Sequence, residues 1–132
     1  MYKVIEIHDA VATRTIELLN EKTGTKDICF DDSGLVSYDN FEFMEKGKSY
    51  NCKIKLFGQC VEEKTLDSVE CYVINEKVCI GEKELVEVRI NKDTYYVYRS
   101  KIPSAFDKNS FFFEFTRKDL IQVNDIVHDD LL

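Results

Sequence analysis

In the stretch GKSYNCKIKLFGQC (residues 47–60), Tyr50, Cys52, Ile54 and Leu56 share one parity, while Asn51, Lys53, Lys55 and Phe57 share the other. Successive side chains of a strand point to opposite faces, so this period of two predicts a strand with the first set inward and the second outward. Its outward face carries two lysines and a phenylalanine, groups able to meet a ligand.

Upstream, residues 2–7 alternate and residues 11–19 are rich in side chains that favour strands, which predicts one strand bent near His8-Asp9 or two short ones. NEKTG (residues 20–24) is turn chemistry with a glycine free to take positive φ, so residues 25–30 return as the second arm of a hairpin. Asp31-Asp32-Ser33-Gly34 breaks the pattern through side chains that bond nearby amides. Its two carboxylates lack the oxygen-ligand sequel of a calcium loop and read as a turn. Phe41 and Phe43 alternate towards a Lys46-Gly47 turn, which predicts a second hairpin.

Downstream the period changes. Val61, Thr65, Leu66, Val69 and Tyr72 recur at helical spacing with charges between them, which predicts a short helix over 61–72. Strand signals resume at 71–74, 78–80, 85–90 and 95–99, parted by the polar turns Asn75-Glu76-Lys77, Gly81-Glu82-Lys83 and Asn91-Lys92-Asp93. Pro103 closes this run, and residues 104–110 read as a loop. Residues 111–115 form a strand apolar on both faces except at Glu114, so both sides need cover, from the protein itself or from another chain. Residues 116–119 look like a helix cap, and Leu120, Val123 and Val127 have helical spacing, yet 121–127 fits a strand equally well.

A chain of 132 residues can bury its own core without disulfides or a metal, and is expected to form one domain: a barrel-like unit over 1–103 with 104–132 packing on it. Its 44% hydrophobic and 33% charged residues exclude disorder. The five cysteines include no C-x-x-C and no zinc spacing, so they read as reduced, mostly buried small hydrophobes. Cys52 belongs to the inward set, whereas Cys29 has outward parity and is expected to be the most reactive. No apolar run approaches a membrane span, and charges interrupt the N-terminal decade where a signal peptide needs an apolar core. These features point to the cytoplasm and to no membrane partner.

The net charge of −7 disfavours a nucleic-acid partner, because phosphate binding needs concentrated Lys and Arg. Charge is nevertheless segregated: Lys46, Lys48, Lys53 and Lys55 have no acidic residue among them, and Asp119, Asp125, Asp129 and Asp130 make the C-terminal stretch acidic. Of the two histidines, neither His8 nor His128 has a nucleophile or metal ligand at a telling spacing, and phosphate-loop, HExxH and GxSxG signatures are absent. The expectation is therefore no catalytic residue, no metal and no cofactor. The run Tyr95-Tyr96-Val97-Tyr98-Arg99 interleaves aromatics and a cation as single-strand binders do. On a strand, however, Tyr96 and Tyr98 share one side and Tyr95 and Val97 the other, as core and rim.

The element order, carried by TIELLNEKTGTKDICF, GKSYNCKIKLFG, VEEKTLDSVECY and the strands over 85–99, resembles the OB-fold, a five-stranded Greek-key barrel with a helix between its third and fourth strands. The resemblance implies a ligand face on the second and third strands, here Asp27, Cys29, Asn51, Lys53, Lys55 and Phe57, with Asp27 as cross-strand counter-charge to the lysines. The tail over 104–132 is additional to such a barrel and able to cover that face. The expected fold class is all-β, a small antiparallel OB-like barrel with one or two short helices; a β-sandwich or an α+β arrangement is the alternative.

The function that fits is a non-enzymatic binding module engaging a protein partner, or a second copy, through an acidic surface, as an immunity protein or an assembly subunit would. Partner contacts fall to Phe111, Phe113, Asp125, Asp129 and Asp130. The alternatives are an OB-type binder of single-stranded nucleic acid or oligosaccharide, through Asn51, Lys53, Lys55, Phe57, Tyr96 and Tyr98, and an enzyme without a recognisable motif.

Overall fold

The computed structural model describes residues 1–36, 38–103 and 109–132, so most of the loop expected over 104–110 lies outside the described residues. Turn chemistry places the first strands: β1 (Tyr2–Asp9) and β2 (Arg14–Asn20) pair antiparallel, which makes the N-terminal stretch two strands rather than one bent one. At NEKTG the Asn20 side chain accepts hydrogen bonds from the Lys22 and Thr23 amides and Gly24 takes φ +80°, turning the chain into β3 (Lys26–Asp31). The bridge β4 (Ser49–Tyr50) pairs with β1, and β5 (Cys52–Val61) is the strand whose period of two is clearest. Then come β6 (Val69–Ile80), β7 (Lys83–Ile90), β8 (Asp93–Tyr98), β9 (Ser110–Val123) and β10 (Ile126–Val127).

These strands dominate the chain; among the described residues, helix is limited to α1 (Ser33–Val36) and two 3-10 turns, Arg99–Lys101 and Asp129–Leu131. The sheet order is β4-β1-β2-β3-β9-β5-β8-β7-β6, and β6 also pairs with β9, so hydrogen bonding returns on itself through β9, β5, β8, β7 and β6. The sheet is mixed, because β3 meets β9 and β5 meets β8 in parallel while the other pairs are antiparallel.

Several expectations are corrected. Residues 62–68 are turns, not helix: Val61 at the end of β5 pairs with Phe112 and Val69 at the start of β6 pairs with Phe113. Both ends are thereby committed to ladders on β9, and Leu66 is fully exposed, so a helix here would gain nothing by burial. Phe41 and Phe43 lie in turns rather than a strand. That segment is fixed by Ser33 Oγ, which accepts from the Phe41 amide at 3.0 Å, and by Arg14, which bonds both the Phe41 carbonyl and Asp31. Asn75-Glu76-Lys77 does not end a strand, since β6 passes through it with two register shifts. Residues 116–119 are mid-strand in β9, paired along β5, and no helix follows.

The main core gathers Ile16, Leu18, Ile54, Leu56, Val88, Val97, Leu120 and Val123 with Phe111 and Phe113, whose rings meet edge-on at 6.2 Å. The phenylalanine run is thus covered by the protein itself, and the argument that it needs a second chain falls away. A smaller cluster of Ile80, Leu85, Tyr96, Ile121 and Leu131 forms on the opposite face of β8, so Tyr95 and Val97 serve one core and Tyr96 and Tyr98 the other.

The parity expected for β3 is reversed: Asp27, Cys29 and Asp31 are buried and Ile28 is 62% exposed. Asp27 accepts hydrogen bonds from Tyr95 Oη at 3.0 and 2.9 Å and from Lys118 Nζ, so it is no counter-charge to Lys53 and Lys55. Nearby, the buried Asp93 accepts from the Thr23 and Thr25 hydroxyls at 2.6 and 2.7 Å and fastens the NEKTG turn to β8. All five cysteines are free, but Cys29 is fully buried, and that burial pushes its thiol well above its ordinary range, away from reactivity. Cys79 is the exposed one.

Candidate ligand groove

Lys55 on β5 pairs across the ladder with Asp119 on β9, and Phe57 with Arg117, so four outward side chains form a patch two residues deep. Phe30 at the end of β3, Tyr98 at the end of β8, and the tail residues His128 and Asp130 surround it. Together with residues 82–84, Arg99, Ser100, Ile102 and Pro103 they enclose a groove of about 1210 Å³.

Arg117 is held by two rings and a carboxylate. Its guanidinium carbon lies 4.5 Å from the Phe30 ring centroid and 4.4 Å from that of Phe57, with Nε and Nη2 donating to the Asp119 carboxylate at 2.5 and 3.1 Å. The hydrogen bond to Asp119 raises its pKa further. Lys55 Nζ stands 4.1 Å from the Tyr98 ring centroid and 3.6 Å from Asp119 Oδ2, with its side chain only 11% exposed. Burial lowers its pKa, against the pull of Asp119.

His128 closes the groove's end. Its Nδ1 accepts the Asp130 amide at 3.0 Å, capping the final 3-10 turn, which leaves the proton on Nε2 to be donated to Asp32 Oδ1 at 2.6 Å. Asp32, His128 and Asp130 bring their ligand atoms within 4.8 Å of one another, close enough to hold a metal ion. As bonded, both imidazole nitrogens are committed within the protein, so neither a metal nor a proton-abstraction step finds a free lone pair there without breaking the cap.

Of the residues singled out from the sequence, Lys55, Phe57, Tyr98 and Asp130 meet in this groove. Asn51, Lys53 and Tyr96 line a separate pocket of about 320 Å³, where Lys53 Nζ lies 5.8 Å from the Tyr96 ring centroid and Tyr96 donates to Glu87 at 2.9 Å. Asp125 is exposed beside β10, Asp129 accepts from the Tyr38 amide at 3.1 Å, and Phe111 and Phe113 belong to the core. The lysine strip is broken up, because Lys46 pairs with Glu6 at 2.7 Å and Lys48 with Glu45 at 2.5 Å, away from Lys55. His8 pairs with Glu17 on the exposed side of β1 and β2. Sequence reasoning missed Phe30 and Arg117, and read Asp32, which lies in the groove beside His128, only as part of a turn. The Arg117-x-Asp119 spacing puts both side chains on one face, a signal visible once 110–123 is read as one strand.

No family model matches the chain, and no curated protein and no solved structure is found to be similar to it. Among the described residues, no helix is long and apolar enough to cross a membrane.

Proposed function

We propose that the protein is a non-enzymatic module that binds a protein partner, with the groove receiving a segment of that partner. The carrying observation is Arg117 held between its contacts with Phe30 and Phe57 at an open groove, with Tyr98 beside it. Aromatic and arginine anchors held in place before binding are the residues that dominate protein interfaces. The groove carries five carboxylates (Asp32, Glu82, Glu84, Asp119, Asp130) against four cations (Lys55, Lys83, Arg99, Arg117), a balance that works against a phosphate backbone and favours a partner of mixed or basic charge. The net charge of −7 speeds encounter with such a surface. The ring of pairings through β5 to β9 supports reading those strands as a small barrel of the OB-like kind, and five free cysteines suit the reducing cytoplasm.

The test is selection from a random peptide display library against the protein and against Phe57→Ser. Peptides enriched on the former and lost on the latter are the expected result; enrichment indifferent to Phe57 would remove the groove from the reading.

A further inference from the structure

We propose that Arg117 is the receptor for a side-chain carboxylate on the docked segment, an inference that rests on the groove being the binding surface. A guanidinium has two faces and five N–H donors in a rigid fork. The Phe30 and Phe57 rings lie 4.5 and 4.4 Å from the guanidinium carbon, and Asp119 takes Nε and Nη2. Among the described residues Nη1 has no partner, while the Arg117 side chain stays 42% exposed in the groove wall. What remains is one edge of the fork, aimed by two rings and a carboxylate. Because its orientation is already fixed, forming a new bond there orders little that was free.

Charge selects the anion. Arg117 and Lys55 both reach the carboxylate of Asp119, and Asp32 and Asp130 line the same groove, so no excess positive charge builds up there and a monoanion is the most that the unpaired edge of the fork can match. Asp32 and Asp130 line the groove beside them, so a dianion such as a phosphate monoester meets more repulsion there than a carboxylate does. The exposed part of Phe57 beside the fork offers an apolar residue next to the acid its own contact. The acidic side of the groove, with Glu82, Glu84 and Asp130, suits flanking cations. The docked segment is therefore an acidic residue between apolar neighbours, within a basic context.

The experiment is an NMR titration at millimolar peptide, following the Arg117 Nε–Hε resonance and the amides of Phe57 and Tyr98. The probes are a capped Lys-Leu-Glu-Leu-Lys peptide and its counterparts with glutamine or phosphoserine at the centre. The glutamate peptide is expected to shift all three reporters, and to bind about tenfold more tightly than the glutamine peptide, because an unmatched charged fork is costly to cover. Arg117→Lys, which keeps the charge and loses the fork, is expected to lose a similar factor. Equal binding of the glutamate and glutamine peptides, with groove shifts intact, overturns the role of Arg117 and leaves the groove standing. Tighter binding of the phosphoserine peptide overturns the charge matching, and no groove shift from any of the three overturns both. The comparison of peptides on the unmodified protein decides the matter even if Arg117→Lys fails to fold.

Discussion

Gly58 on β5 lies so close to the backbone of Glu114 on β9 that a Cβ built on it would overlap the Glu114 carbonyl oxygen and stand 2.7 Å from the Phe115 Cα. The close approach falls at the register shift between Phe57 and Gly58, where the ladder that presents Phe57 and Arg117 to the groove is bent. The obstacle is backbone, so no side chain can rotate out of the way. Gly58→Ala is expected to cost about 3 kcal/mol, as overpacking against fixed atoms does. Urea denaturation with an unchanged midpoint would show that the strands part more easily than this.

The Asp27–Lys118 pair invites a double-mutant cycle. Asp27 is almost wholly buried, and Lys118, at 22% side-chain exposure, is its counter-charge beside the Tyr95 hydroxyl. Lys118→Met leaves that carboxylate with Tyr95 alone and is expected to destabilise by about 2–4 kcal/mol. Adding Asp27→Asn removes the stranded charge while keeping an acceptor for Tyr95, so the double variant should be more stable than Lys118→Met. Strictly additive losses would mean that the two groups do not interact.

The same pair explains why burial along β3 runs against its local hydrophobicity. Asp27, Cys29 and Asp31 hold one parity and Lys26, Ile28 and Phe30 the other, so local hydrophobicity assigns Ile28 and Phe30 to the interior. The interior belongs to the first set because Arg14 on the neighbouring strand, and Tyr95 and Lys118 on strands far away in sequence, supply partners that no window around β3 contains. Where burial follows from apolar residues alone, as for Tyr50, Ile54 and Leu56, the period of two was sufficient. Residues 61–72 failed for the converse reason: their helical spacing was real, but β9 claims both ends for the sheet. Half of the groove was legible on the outward face of β5, and Arg117 stayed hidden because residues 116–119 looked like a helix cap.

Alkaline pH should unfold the protein early. Burial pushes the Cys52 and Cys71 thiols from 9.0 up to about 12, and the Tyr2 hydroxyl from 10.0 up to about 12, and it also raises Cys29, Tyr95 and Tyr96. Each raised group is protonated in the folded state while its unfolded counterpart ionises. The stability it contributes is therefore complete below the unfolded value and is lost as pH climbs towards the folded one. Lys55, with its lowered pKa, works the other way: the cost of burying its cation is relieved as pH rises, but it is a single group against several. Above pH 9 each thiol should remove about 1.4 kcal/mol per pH unit. Urea midpoints constant to about pH 8.5 and falling steeply by pH 10 are expected, and Cys52→Ala should soften the fall. A midpoint unchanged to pH 10.5 would mean that these thiols meet water in the folded state.

The final prediction concerns the tail that forms one wall of the groove. Gly81, at φ +60°, turns β6 into β7, and a Cβ there would overlap the Leu131 carbonyl oxygen, which accepts the Glu82 amide at 2.5 Å. Leu131 itself is buried in the second core cluster with Tyr96 and Ile121. The turn and the tail are thus mutually exclusive with any larger residue at 81, and Gly81→Ala should lift residues 128–132 while leaving the main core paired. Hydrogen exchange reads this locally: the Glu82 amide is expected to lose protection by more than about tenfold, whereas the amides of Val88 and Val97 keep theirs. Leu131→Ala should do the same through lost burial, at about 2–3 kcal/mol, without touching the backbone at 81. If the Glu82 amide stays protected in both variants, the tail is held without Leu131, by the bonds of His128 to Asp32 and Asp130 and of Asp129 to the Tyr38 amide. Breaking that cap with His128→Ala would then be what frees it.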